Sequence, residues 1–132
     1  MPELPEIMKL SSQMKETLQG KIIKEITLLQ EECSNVPADE LQRRTVGARV
    51  ADIYHKGKWM ITSLENGEYI LLSLGMGANI LYFDKEEEAP DKYQVKVLFT
   101  DDSGYTARFW WFGHFLLVSK DELALGRVLK PA

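Results

Sequence analysis

Apolar positions near the start of the chain fall on one helical stripe: Ile7, Leu10, Met14 and Leu18 recur at spacings of three and four. Lys9, Gln13, Lys15 and Glu16 occupy the other faces, and Gly20 is a natural stop, so the pattern predicts an amphipathic helix. KIIKEITLL then reads as a strand and QEECSNV as a loop. PADELQRRTVG predicts a short helix, with Pro37 near its start and Gly47 past its end.

From residue 48 the period shortens to that of a pleated strand. ARVADIYHKG, KWMITSLE, EYILLSLG and ANILYFD predict short strands, and Asn66-Gly67 between the second and third is a strong hairpin signal. The charged DKEEEAPDK predicts a surface loop. YQVKVLFT and YTARFWWF predict another hairpin around DDSG, HFLLVS a last strand, and DELAL a helical turn. Alternation puts Phe109 and Trp111 on one face and Trp110 and Phe112 on the other. With both faces apolar, this run predicts a central strand between layers; a base-stacking platform is the functional alternative. No internal repeat is visible. The fold class is therefore α+β and mostly β: an antiparallel β-sandwich flanked by an N-terminal helix and a second short helix.

A chain of 132 residues with 45% hydrophobic and 27% charged content is one domain with a core of useful size. GRVLKPA, at residues 126–132, reads as the start of a linker following a domain over residues 1–125, so the sequence is expected to be a piece of a longer protein. The single Cys33 excludes an internal disulfide, and its polar neighbours EECSN predict a free, partly exposed thiol. His55 and His114 are too few for a zinc centre, so no metal site is expected in this chain. The acidic N-terminus lacks the apolar run of a signal peptide, and no stretch approaches a membrane span. A reduced, cytoplasmic setting is the expectation. The net charge of −4 argues that this chain alone binds nucleic acid weakly, because phosphate neutralisation supplies most non-specific affinity.

Three short stretches carry candidate chemistry. The first is MPELPEI at the N-terminus. Pro5 suits a first helical turn, and Glu3 and Glu6 suit the positive end of the helix dipole. If Met1 is removed, Pro2 is also a free secondary amine, far less protonated at neutral pH than a lysine. Such an amine attacks an aldehyde-like carbon to give a cationic iminium, and Glu3 beside it is placed to move protons. The second is Lys56-Gly57-Lys58-Trp59 at a strand junction, either a solvated turn or a pair of lysines gripping a phosphate. The third is Ser73-Leu74-Gly75-Met76-Gly77, either a turn with a core-facing methionine or one that presents it to a base stack.

Together these stretches resemble the formamidopyrimidine-DNA glycosylase / endonuclease VIII family. MPELPEI matches that family's N-terminal signature, and KGK, LGMG, the FTD hairpin and an aromatic FG segment follow in its order and approximate spacing. The resemblance covers the whole chain as the family's N-terminal domain. It implies base-excision DNA repair by a bifunctional glycosylase with abasic-site lyase activity, acting on damaged double-stranded DNA as a monomer. Pro2 would displace the damaged base and form a Schiff base with the deoxyribose, and β,δ-elimination would cut the strand. Glu3 would protonate the sugar ring oxygen, and Glu6 would belong to the supporting shell. Lys58 would hold a phosphate beside the lesion, with Lys56 a further DNA-binding residue, and Met76 would fill the void left by the flipped base. The family's helix–two-turn–helix motif and its zinc or zincless finger belong to the second half, so no cofactor is expected in this chain. In a bacterium the protein would be associated with the nucleoid.

Two other readings stay open. The glycines flanking Met76 and the Trp-rich segment keep a degenerate member that recognises lesions or a protein partner without catalysis. Tautomerases also use an N-terminal proline, as a general base, but they begin directly with a strand, whereas Pro2 here precedes a helix.

Overall fold

The computed structural model describes residues 4–57, 59–73, 79–108 and 113–121. Helix α1 spans Leu4–Leu18 and strand β1 Ile23–Leu28. A 3-10 turn at Glu31–Cys33 leads to α2, Ala38–Thr45. Strands β2 (Val50–Lys56), β3 (Trp59–Leu64) and β4 (Glu68–Ser73) form a meander. Strand β5 (Asn79–Phe83) precedes a second 3-10 turn at Glu86–Glu88. Strands β6 (Val95–Phe99), β7 (Gly104–Arg108) and β8 (His114–Ser119) follow. The strands build two antiparallel four-stranded sheets, β1-β6-β7-β5 and β2-β3-β4-β8, and the expected sandwich with two helices is the one observed.

One buried cluster joins the layers. Met60, Ile70 and Phe115 of the second sheet meet Ile26, Val97 and Phe99 of the first. The second sheet is apolar on its other face as well, where Ile61, Leu71 and Val118 are buried with Trp59, Tyr69 and Leu116 packed against them. That double burial is why EYILLSLG and HFLLVS are nearly continuous apolar runs rather than alternating ones.

The stripe of α1 enters the same core through Ile7, Met14 and Leu18, with Leu10 half-buried. Ser11 lies on that stripe too, and its hydroxyl donates to the Met8 carbonyl at 3.1 Å, which satisfies it inside the fold. Gly20, at φ 90°, ends the helix and donates its N–H to the Val50 carbonyl at 2.9 Å. Side-chain amides cover one edge of each sheet. Gln42 of α2 accepts from the Ile26 N–H at 2.8 Å, and Asn35 both donates to the Leu117 carbonyl at 2.9 Å and accepts from its N–H at 2.8 Å. Arg44 at the end of α2 forks onto Glu68 at the start of β4 at 2.8 and 2.7 Å and reaches Glu40 at 2.9 Å.

The hairpins form where turn chemistry places them. Gly67 has φ 90° between β3 and β4, and Asp102 has φ 75° between β6 and β7. The expectation for Cys33 is corrected. It is 4% exposed, because the 3-10 turn folds it inward while its polar neighbours face out. Burial pushes its thiol up to about 11, and Sγ donates to the Gln30 carbonyl at 3.0 Å. Of the predicted final turn, Asp121 is helical, as is Lys120 before it, while residues 122–132, including the expected linker, lie outside the described residues.

Candidate nucleic-acid interface

The second candidate stretch forms a tight strand junction. Lys56 is the last residue of β2 and pairs with Trp59, the first of β3. Gly57 between them has φ 58°, a left-handed backbone that glycine adopts without strain. The Lys56 side chain is exposed, and His55 Nδ1 lies 3.4 Å from the Gly57 carbonyl. Lys58 lies outside the described residues.

Strand register ties the other two stretches together. Ser73 ends β4 and pairs with His114, which begins β8. Asn79 begins β5 and pairs with Arg108, which ends β7. Ser73 and Asn79 thus flank residues 74–78 in sequence, Arg108 and His114 flank residues 109–113, and in each case the two flanking residues belong to different sheets. Met76 belongs to the first segment and Phe109, Trp110, Trp111 and Phe112 to the second. These residues, and with them the central-strand reading of RFWWF, lie outside the described residues, and β7 ends at Arg108.

The start of α1 comes to the same end of the fold. Gly20 bonds to Val50, Gln19 Nε2 donates to the Ala51 carbonyl at 2.8 Å, and Lys15 pairs with Asp52 at 3.1 Å. As the helix number falls the strand number rises, so α1 runs antiparallel along β2. A 15-residue helix covers about 22 Å and a seven-residue strand about 23 Å. The first turn of α1 thus lies toward the Lys56 end, with Glu6 exposed on it. Pro2 and Glu3 directly precede that turn in sequence and lie outside the described residues.

Sequence reasoning missed what the register builds between these segments. Continuing β3–β4 pairing one step beyond Met60↔Leu72 sets Trp59 opposite Ser73, so Lys56, Trp59, Ser73 and His114 form one row across the second sheet. The rings of Trp59 and His114 stack over the intervening Ser73, with centroids 6.4 Å apart and planes at 28°. On the first sheet, an opening of about 320 Å³ beside the Asn79–Arg108 pair is lined by those two residues with Thr106, Lys92 and Asp91. Among the described residues no three His, Cys, Asp or Glu side chains cluster as a metal would require. No helix among them is long and apolar enough to cross a membrane.

Comparison with known proteins gives this geometry its context. The family profile described as the formamidopyrimidine-DNA glycosylase N-terminal domain matches residues 1–111. The chain is 30% identical over 128 residues to the formamidopyrimidine-DNA glycosylase of Mycoplasma genitalium, covering 94% of this chain and 45% of that protein. It is 30% identical over 102 residues to the enzyme of the same name from Actinobacillus pleuropneumoniae, covering 77% of this chain and 37% of that protein. The chain thus spans less than half the length of these curated relatives. Among solved structures it is similar to the Lactococcus lactis formamidopyrimidine-DNA glycosylase bound non-covalently to DNA containing an abasic site. The TM-score is 0.85 at 18% identity, over 94% of this chain and 48% of that one.

Proposed function

The chain belongs to the formamidopyrimidine-DNA glycosylase N-terminal domain family, and from that membership we propose that it supplies the catalytic half of a base-excision DNA repair enzyme. The whole protein removes a damaged base from duplex DNA and then cuts the strand as an abasic-site lyase. One observation supports the reading: α1 turns its start toward the sheet end where the Lys56–Trp59 junction and the Ser73–His114 strand ends lie.

The chemistry follows from residue type. Once Met1 is removed, the Pro2 nitrogen has a lone pair that attacks C1′ of the deoxyribose as the glycosidic bond breaks and the base leaves. Glu3 protonates the ring oxygen, the sugar opens, and the C1′–N bond becomes an iminium. That cation withdraws electrons, so loss of a C2′ proton expels the 3′ phosphate, and the subsequent δ-elimination expels the 5′ phosphate. Lys58, with Lys56 beside it, holds the backbone. Met76 enters the space left by the extruded base, and Glu6 supports the acid/base shell. An acidic domain of net charge −4 grips DNA poorly alone. Affinity therefore comes from a basic second half, which also carries any zinc finger. The setting is cytoplasmic, at the nucleoid in a bacterium.

The test is borohydride trapping on abasic-site DNA, using full-length protein whose N-terminus is verified by mass spectrometry. A reducible adduct is expected with free Pro2, strongly reduced in Pro2→Gly and absent when Met1 is retained. Equal trapping by the Met-blocked protein would assign the nucleophile to a lysine. No adduct from protein with a free Pro2 would favour the lesion-binding reading.

A further inference from the structure

We propose that His114 is a DNA-contacting residue, positioned by Trp59, and that the row Lys56–Trp59–Ser73–His114 lies along the sugar–phosphate backbone beside the lesion. This inference rests on the reading of the chain as a DNA repair domain. That reading gives no role to His114 or to the Trp59 side chain.

The row alternates with the inward-facing Met60, Leu72 and Phe115, so its four side chains share the outer face of the second sheet. Its two ends, Lys56 and His114, are both exposed, and both present N–H donors. Trp59, half-buried between them, contributes an indole N–H. The next row is Tyr54, Ile61, Leu71 and Leu116, without a carboxylate. Beyond it on β2 stands Asp52, already paired with Lys15 at 3.1 Å. In a chain of net charge −4, an anion approaching this corner meets donors among the described residues of both rows.

The aromatic stack makes His114 a fixed donor. Trp59 and His114 stand on strands two apart, about 10 Å between backbones, yet their ring centroids are 6.4 Å from one another. They converge because Ser73, on the strand between them, is small and only 8% exposed. A ring held this way gives up little rotamer freedom when it meets a phosphate, so a larger share of the hydrogen-bond energy appears as affinity. The row also holds the Lys56–Trp59 junction, the end of β4 at Ser73 and the start of β8 at His114. A backbone held at one is within reach of the others.

Full-length protein is titrated with a duplex carrying a tetrahydrofuran abasic analogue and with the same duplex undamaged, following fluorescence anisotropy. His114→Ala should weaken binding to the analogue about tenfold or more, the worth of one hydrogen bond to a charged phosphate. His114→Gln keeps an N–H donor and should recover most of that loss. Trp59→Ala should weaken binding similarly, and the double variant should lose little more than either single one, because the residues act as a unit. Thermal melts of both His114 variants should match the parent, since the side chain is exposed. Wild-type affinity in His114→Ala overturns the inference while leaving the repair reading intact. A parent protein that fails to prefer the abasic duplex removes the repair reading, and this inference with it.

Discussion

Ser73 and His114 face each other as the closing pair of β4 and β8, and the His114 ring reaches past Ser73 to stack on Trp59 with a centroid separation of 6.4 Å. The small hydroxyl side chain thus does two things. It ends β4, and it leaves the gap through which two aromatic rings meet.

Ser73→Leu should therefore separate the rings. The added methylenes enter a site that is 8% exposed, so a stability loss of about 1–3 kcal/mol is expected. Urea unfolding measures it, and ring-proton shifts of His114 should move toward free-imidazole values. A variant of unchanged stability and unchanged shifts would show that the gap accommodates leucine and that the stack does not depend on Ser73.

Lys58 and Glu3 differ in kind of role, and one DNA substrate separates them. Lys58→Ala in the full-length protein should weaken binding and reduce the salt slope by about one, with smaller effects on bound substrate. Glu3→Gln should bind nearly as well and slow single-turnover excision by about a hundredfold or more. Normal excision by Glu3→Gln together with an unaltered salt slope in Lys58→Ala would exclude the proposed chemistry.

Acid should loosen one corner of the sandwich before the rest. Burial raises the Asp101 carboxyl, but hydrogen bonds from Lys21 and Ser103 outweigh that and lower it from 3.8 to about 2. A depressed carboxylate stabilises the fold above its ordinary value and loses that contribution as pH falls through the folded one. The loss should fall between about pH 4 and pH 2. Asp101 is half exposed, so solvent screening keeps the effect small. Asp101→Asn should flatten the stability profile over that window. An identical profile in the variant would assign the acid sensitivity to other carboxylates.

Gly104 is fixed by sterics rather than by backbone angle. A Cβ there would lie 2.1 Å from the Val97 carbonyl oxygen and 2.8 Å from the Phe83 ring. Backbone cannot yield as a flexible side chain does, so Gly104→Ala should cost about 3 kcal/mol or more. Denaturant titration reads this directly. A loss below about 1 kcal/mol would mean that the β6–β7 hairpin shifts freely.

Much of this architecture was legible because its signals are local. The α1 stripe, the Asn66-Gly67 turn and the DDSG turn each specify a structure within a few residues. Ser11 broke the apolar pattern without breaking the helix, because its hydroxyl finds a carbonyl three residues back. Cys33 is buried despite its polar neighbours, since a three-residue turn reverses which side chain points in. At the candidate site, MPELPEI and KGK could be singled out by residue chemistry. The row joining Lys56, Trp59, Ser73 and His114 could not, because it depends on β8 pairing with β4 rather than with its sequence neighbour β7. Non-local strand order leaves no mark in local composition.

That strand order also sets a timetable. β2, β3 and β4 pair through short connections, whereas β8 joins their sheet only after β5, β6 and β7 have intervened in the chain. Closing the longer loop costs more entropy before its contacts reward it, so docking of β8 is expected to be the late step of folding. Pulse-labelled hydrogen exchange should find the β3–β4 amides protected before those of β8; simultaneous protection would place β8 in the nucleus. On a ribosome the same order holds, because Trp59 and Ser73 leave the exit tunnel before His114 does. A nascent chain can pair its meander before it holds the surface proposed to meet DNA.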